Sequence, residues 1–283
     1  MKLIVKQDGF LLDYLYLTLN MPKRRIKQYL THGAVYVNNN RVTQHNYKLV
    51  SGMTIRIDTT SKNKKELPFD VLFEDEHIIV VNKPSGLLTI ATSKEKERTL
   101  YHIVSEYLKS TNKFAKVFIV HRLDKDTSGI VLLAKDEKTK NQLQENWDKY
   151  VSLREYVAVV HGTLTQKEGR IIQNLKETKT NLVYCCSDKD GKQAITNYKV
   201  LKENNNYSLL KVTIETGRKN QIRVAFSTMN HPIVGDKKYS NIKDLEKRLY
   251  LHANRLKIYY PVLKKDILFE TSNPNEFKKI MGR

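Results

Sequence analysis

Two short apolar runs, Phe118-Ile119-Val120 and Ile130-Val131-Leu132-Leu133-Ala134, enclose a polar turn, His121-Arg122-Leu123-Asp124-Lys125-Asp126-Thr127-Ser128-Gly129. Both runs are too short for helices and rich in strand-forming residues, so they predict buried strands with a turn pinned between them. Asp124 therefore hangs from a rigid sheet. An ordinary Asp in such a place closes an Asx-turn, here with Thr127. The crowding of His121, Arg122, Asp124 and Asp126 beside apolar strands exceeds what a turn needs and fits a site with tuned pKa values.

Charge narrows the partner. Fifty Lys and Arg stand against thirty Asp and Glu, a formal net charge of +20, which favours a polyanion, RNA before membrane. No run of 18 or more apolar residues is present, and Met1 to Asp8 lacks the apolar core of a signal peptide, so a cytoplasmic, membrane-free protein is expected, with monomer as the default. The two cysteines, Cys185 and Cys186, are adjacent. That spacing suits neither a disulfide framework nor a zinc site, and no metal or cofactor is expected.

The chain divides into unequal parts. Residues 1–60 carry nine Lys or Arg against three Asp, and a polar stretch at 61–67 reads as a linker before a second part at 68–283. In the first part, Leu11, Leu12, Leu15 and Leu19 recur near helical spacing, and a second helix starts at Pro22 and ends near Gly33. Ile26, Tyr29 and Leu30 face inward on that helix; Lys23, Arg24, Lys27 and Gln28 share its polar side. A hairpin around Asn38-Asn39-Asn40 and a strand at Thr54–Ile57 follow.

The second part mixes strand-like runs (Ile78–Val81, Tyr156–Val160, Ser208–Ile214) with few helices. One helix is expected from Glu137 to Tyr150, with Leu143, Trp147 and Tyr150 as core, and another after Thr216-Gly217, with Ile222, Phe226 and Met229 on one face. Strand and helix do not alternate regularly. An α+β fold with a mixed, largely antiparallel central sheet and flanking helices fits better than a doubly wound one.

His-Arg-Leu-Asp followed by Thr-Ser-Gly resembles the signature of the pseudouridine synthases of ribosomal large-subunit RNA and some tRNAs. The resemblance continues in order over about 200 residues: Asn82-Lys83-Pro84-Ser85-Gly86, Arg154-Glu155-Tyr156, Thr216-Gly217-Arg218, Gln221-Ile222-Arg223 and His231-Pro232-Ile233-Val234-Gly235-Asp236. It implies the same α+β fold and an RNA substrate. The first part is similar to the small S-four-like RNA-binding module of a ribosomal small-subunit protein, with Lys23, Arg24, Arg25, Lys27 and Arg41 as its expected RNA contacts.

The family chemistry breaks the bond from ribose to uracil nitrogen 1, turns the base, rejoins it at carbon 5 and removes the carbon 5 proton. It needs an ionised carboxylate, and the resemblance gives that role to Asp124. A water-poor pocket raises a carboxylate's pKa, so a fixed cation is needed; the resemblance makes it Arg223, paired with Asp124. Tyr156 takes the active-site tyrosine place, where it can stack on the extruded uracil and help take the carbon 5 proton. Lys83, His121, Arg122, Arg218, Lys219 and Gln221 are the expected substrate contacts. Asn220 and Ala225 stand where the family usually has His, which leaves RNA positioning open. Two other readings stay on the table. One is a noncatalytic RNA-binding or ribosome-assembly factor; the other is a glycosidase-like hydrolase with Asp126 as its acid.

Overall fold

The computed structural model describes residues 1–19, 21–31, 33–58, 66–93, 95–187, 190–243 and 245–282. The chain falls into two compact units, Met1–Lys65 with Tyr107–Ala115, and Glu66–Glu106 with Lys116–Arg283. The stretch Tyr107–Ala115, which the sequence alone places in the second part, belongs to the first because Phe114 packs edge-on against Tyr29 with ring centres 4.8 Å apart. Of the linker expected at 61–67, only Glu66 and Leu67 are described.

The first unit holds helices Leu11–Leu19 and Lys23–Thr31 and a four-stranded sheet in the order Lys2–Ile4, Thr54–Ile57, Val35–Val37, Asn40–Arg41. Leu11, Leu15, Ile26 and Leu30 are fully buried among them, as their helical spacing requires.

The second unit is built on an eleven-stranded sheet. Its order is Val183–Cys186, Glu168–Glu177, Lys192–Glu203, Tyr207–Ile214, Val151–His161, Leu251–Tyr260, Ser128–Ala134, Ile78–Lys83, Val71–Glu74; Lys265–Glu270 and Phe118–Ile119 pair alongside. Every pairing is antiparallel except Ser128–Ala134 with Leu251–Tyr260. This is the mixed α+β sheet that the sequence pattern implies. All seven residues of Ser128–Ala134 are buried, which explains why that run is continuously apolar.

Register brings the distant motifs together. Ala253 pairs with Gly129 on one side and with Tyr156 on the other, so the turn before Ser128 and the ring of Tyr156 lie at one end of the sheet. A bulge between Glu155 and Tyr156 leaves Asn254 without a partner in the ladder and re-aims the tyrosine. Gly129 is required at this crossing: its φ is +115°, and a Cβ there would stand 2.2 Å from the Ala253 carbonyl oxygen.

Two helices shape the rim. The expected helix from Glu137 to Tyr150 is split at Asn146 into Glu137–Glu145 and Trp147–Tyr150; Trp147 packs against the core beside Leu143, as expected, and its ring also lies 4.8 Å from that of His121. The helix Gln221–Thr228 starts from Asn220 in the left-handed conformation at φ 54°, a conformation that Asn tolerates better than most residues. No helix among the described residues is long and apolar enough to cross a membrane.

His121 and His252 flank the motif strand, and burial holds both rings neutral, each pKa pushed down to about 4. The His121 Nε2 accepts the Leu132 amide at 3.0 Å, which it does only when unprotonated. Unfolded, both imidazoles titrate near the ordinary value of 6.5. Below that pH the unfolded chain therefore gains protons that the native state refuses. Stability is expected to fall between pH 6.5 and 5 with a slope on the order of 2 kcal/mol per pH unit, measured by urea unfolding; a flat profile would contradict neutral native histidines. Gly129→Ala is expected to cost at least about 2 kcal/mol by the same assay, and a loss under about 0.5 kcal/mol would show that the crossing tolerates a side chain.

Candidate active site

Asp124 is fixed through its neighbours. The Leu123 carbonyl accepts the Thr89 hydroxyl at 2.8 Å. The Lys125 carbonyl accepts both the Gly86 amide and the Lys83 Nζ at 3.0 Å, and the Asp126 carbonyl accepts the Ser85 hydroxyl at 2.6 Å. The Lys-Pro-Ser-Gly turn thus grips the chain just beyond Asp124. Its carboxylate has no hydrogen-bond partner among the described residues and faces a cavity of about 610 Å³, a volume in the range of nucleotide-sized ligands.

Expected site residues meet there unequally. Asp124, Tyr156, Arg223, Arg122, Arg218 and Lys219 all line the cavity. Lys83 does not: it is fully buried, its ammonium donating to the carbonyls of Pro84, Leu87 and Lys125. It braces the turn and is not placed to meet a phosphate. Burial lowers its pKa to about 7 while Asp126 and Asp124 hold it up. Gln221 lines the cavity, but its amide is spent on the fold, accepting from Thr216 and the Arg218 amide and donating to the Ile195 carbonyl and Thr196. His121 touches the cavity, but with one ring nitrogen bonded to the sheet. Arg218 reaches the Gln193 carbonyl through Nε at 3.0 Å.

Arg223 departs most from expectation. Its guanidinium is held side-on by Asp236, Nε to Oδ2 at 2.8 Å and Nη2 to Oδ1 at 2.7 Å, with Nη1 on Asn220 Oδ1 at 2.9 Å. No hydrogen bond joins it to Asp124. Burial opposes its charge, and Asp236 first, then Asp124 and Tyr239, more than restore it. Asp236 is itself buried and accepts the amides of Lys238 and Tyr239, so Arg223 is a pre-aimed cation, not a direct partner of the carboxylate. A guanidinium carries five N–H donors, and these three bonds leave two uncommitted. Asn220 explains one family departure. It takes Arg223 through its oxygen and gives Nδ2 to the Tyr239 hydroxyl at 3.0 Å. Ala225 is buried in the helix, and nothing in the structure gives it a part in the site.

The charges pull against one another at Asp124. Burial raises its pKa above the usual 3.8, while Arg223, Arg122, Lys83 and Lys219 lower it, in that order. Burial pushes the Tyr156 hydroxyl up to about 12, with Asp124 adding and Arg154 opposing. Arg154, Trp147 and Asp236 were missed as site residues by sequence reasoning. Arg154 lies two residues before Tyr156 on the same strand and so shares its face, a signal that was available; Trp147 needed the break at Asn146, which spacing does not reveal.

Lys23, Arg24 and Lys27 line one shallow exposed cavity with Gln28 and Thr31. Arg25 is exposed outside it, and the Arg41 guanidinium lies over Gly33.

Comparison with known proteins gives this geometry its class. A sequence model of the family RNA pseudouridylate synthase matches residues 77–228. The chain is 31% identical to the uncharacterized RNA pseudouridine synthase YhcT of Bacillus subtilis, over 97% of this chain and 93% of that one. It is 30% identical to the ribosomal large subunit pseudouridine synthase D of Yersinia pestis, over 85% and 79%. The human RNA pseudouridylate synthase domain containing 4 shares the fold, with a TM-score of 0.60 at 24% identity over 74% of this chain and 90% of that one. With the family pattern covering more than half its length, the chain belongs to the RNA pseudouridylate synthases and is an RNA-modifying isomerase.

Proposed function

We propose that the chain converts uridines of large-subunit ribosomal RNA to pseudouridine, with Asp124 as nucleophile. The observation that carries the reading is an unbonded, half-buried carboxylate in a nucleotide-sized cavity, beside an unbonded tyrosine and a pre-aimed arginine. Ribosomal RNA is favoured because relatives at 28–30% identity bear the name ribosomal large subunit pseudouridine synthase D.

The target uridine leaves its stack and enters the cavity, at a cost of about a few kcal/mol. An Asp124 oxygen bonds to ribose carbon 1′ as the bond to nitrogen 1 breaks, and the electron pair goes to uracil. The ring turns, carbon 5 bonds to carbon 1′, and the carboxylate is released. The carbon 5 proton is lost, and nitrogen 1 gains one. A phenol at about 12 is protonated at neutral pH, so Tyr156 serves as a stacking face and gives no free anionic base. Arg223 and Arg122 favour the ionised form of Asp124. The first unit supplies a second RNA grip through Lys23, Arg24, Arg25, Lys27 and Arg41, which raises effective concentration at the cavity. The reaction takes place in the cytoplasm, on a monomer.

Tritium release from carbon 5-labelled uridine in ribosomal RNA of a deletion strain tests this directly. Wild type is expected to release tritium, and Asp124→Asn to be slowed about ten-thousand-fold or more; no release by wild type would sink the proposal. Because Asp124 must be ionised and burial raises its pKa, kcat/KM is expected to fall on acidification through a midpoint above the ordinary 3.8. A midpoint below that value would contradict the assignment. Exchanging Lys23, Arg24 and Lys27 together for Gln is expected to flatten the slope of log affinity against log salt by about 2, and an unchanged slope would remove this helix from the RNA interface.

A further inference from the structure

The mouth of the catalytic cavity carries an acid that the chemistry does not use. Its lining collects Arg122, Arg154, Arg218, Lys219 and Arg223 against three acids, Asp124, Asp148 and Glu177. Asp124 has its role, and Asp148 faces Arg154. Glu177, at the end of the strand Glu168–Glu177, is exposed and ion-paired to the Lys219 ammonium. A negative charge at the entrance of a polyanion site opposes binding.

Lys219 is also the cation through which the entrance speaks to the chemistry. It donates to Asn181 Oδ1 at 3.1 Å, and Lys238 donates to the Asn181 carbonyl at 2.7 Å. Two ammonium groups therefore converge on one turn: burial first, then Arg223 and Lys219, lowers the pKa of Lys238, while Asp124 and Glu177 raise it. Lys219 also favours the ionised form of Asp124. A second cavity of about 250 Å³ shares Arg122, Asp124, Lys219 and Arg223 with the first and adds Lys238. An RNA strand with its target base in the large cavity and a neighbour in the small one must carry a phosphodiester across this shared wall.

We propose that Lys219 and Lys238 form a phosphodiester site beside the target uridine, and that Glu177 is its resident occupant, displaced when RNA binds. The exchange is chemically even: one charge-assisted acceptor on Lys219 gives way to another. A half-exposed ion pair contributes little to stability, so little opposes its release. A phosphodiester at the Asn181 turn, where both ammonium groups bond, can draw on the two, whereas among the described residues the Glu177 carboxylate is bonded to Lys219 alone. Correctly placed RNA is thereby favoured over loosely held RNA, which does not present a phosphate at that point and leaves the carboxylate seated.

The site rests on the placement of the target uridine in the large cavity, so tritium release by wild type is read on the same RNA. Binding to deletion-strain ribosomal RNA is measured against salt for wild type, Glu177→Gln, Lys219→Gln, Lys238→Gln and the double variant Glu177→Gln/Lys219→Gln. Glu177→Gln is expected to bind about three- to tenfold tighter with a steeper salt slope. Lys219→Gln and Lys238→Gln are each expected to weaken binding and flatten the slope by about 0.7 to 0.9. The decisive comparison is the double variant: it is expected to bind like Lys219→Gln alone. If Glu177→Gln tightens binding equally in both backgrounds, its effect is long-range charge and the proposal falls. It also falls if Glu177→Gln does not tighten binding at all. Absence of tritium release with the expected binding pattern would instead overturn the catalytic reading and leave the phosphate site standing.

Discussion

The site depends on hydrogen bonds made to the backbone on either side of Asp124. Thr89 holds Leu123, Lys83 and Gly86 hold Lys125, and Ser85 holds Asp126. The nucleophilic role proposed for Asp124 requires placement within a fraction of an ångström of its target, yet bonds to its own oxygens would blunt it. Anchoring the neighbours satisfies both demands. It also accounts for the Lys-Pro-Ser-Gly turn: Lys83 is buried to serve three carbonyls, and Gly86 adopts φ +83° while its amide reaches Lys125.

Electrostatics is arranged in layers around that anchored turn. Burial favours protonated Asp124, and four cations work against it. The strongest of these, Arg223, is itself buried and needs compensation, which Asp236 supplies at 2.7–2.8 Å. Removing one member of such a pair typically costs about 3 to 5 kcal/mol, because the other is left buried and charged. Arg223 is therefore a structural and an electrostatic element at once. Its orientation is set on one side by the Gly235-Asp236 corner and on the other by Asn220, so the usual His at that position is not needed to hold it.

Much of this was legible in the sequence because it is local. The strand after Asp124 is continuously apolar and fully buried as expected, whereas the run before it forms only a two-residue, half-buried strand, Phe118–Ile119; Ile26, Tyr29 and Leu30 are the buried side of their helix. The α+β class followed from irregular alternation. What was not legible depends on contacts between residues far apart in the chain. Lys83 looks like a phosphate contact until its three carbonyls are seen. Gln221 looks exposed and polar until Ile195 and Thr196 close over it. Arg223 was expected to meet Asp124, but Asp236, thirteen residues on, is the nearer carboxylate. The meeting of Gly129, Ala253 and Tyr156 arises from one parallel pairing, and periodicity carries no record of register between strands so far apart.

The proposed role of Asp124 requires that this half-buried, unbonded carboxylate be kept ionised by a guanidinium fixed on Asp236. Titration of the Asp124 side-chain carboxyl by carbon-13 NMR, in wild type and in Arg223→Lys, tests it most directly. A wild-type pKa above 3.8 that rises further in the variant, where the planar fork on Asp236 is lost, is the expected result. A pKa at or below 3.8, or one indifferent to the substitution, would contradict the account.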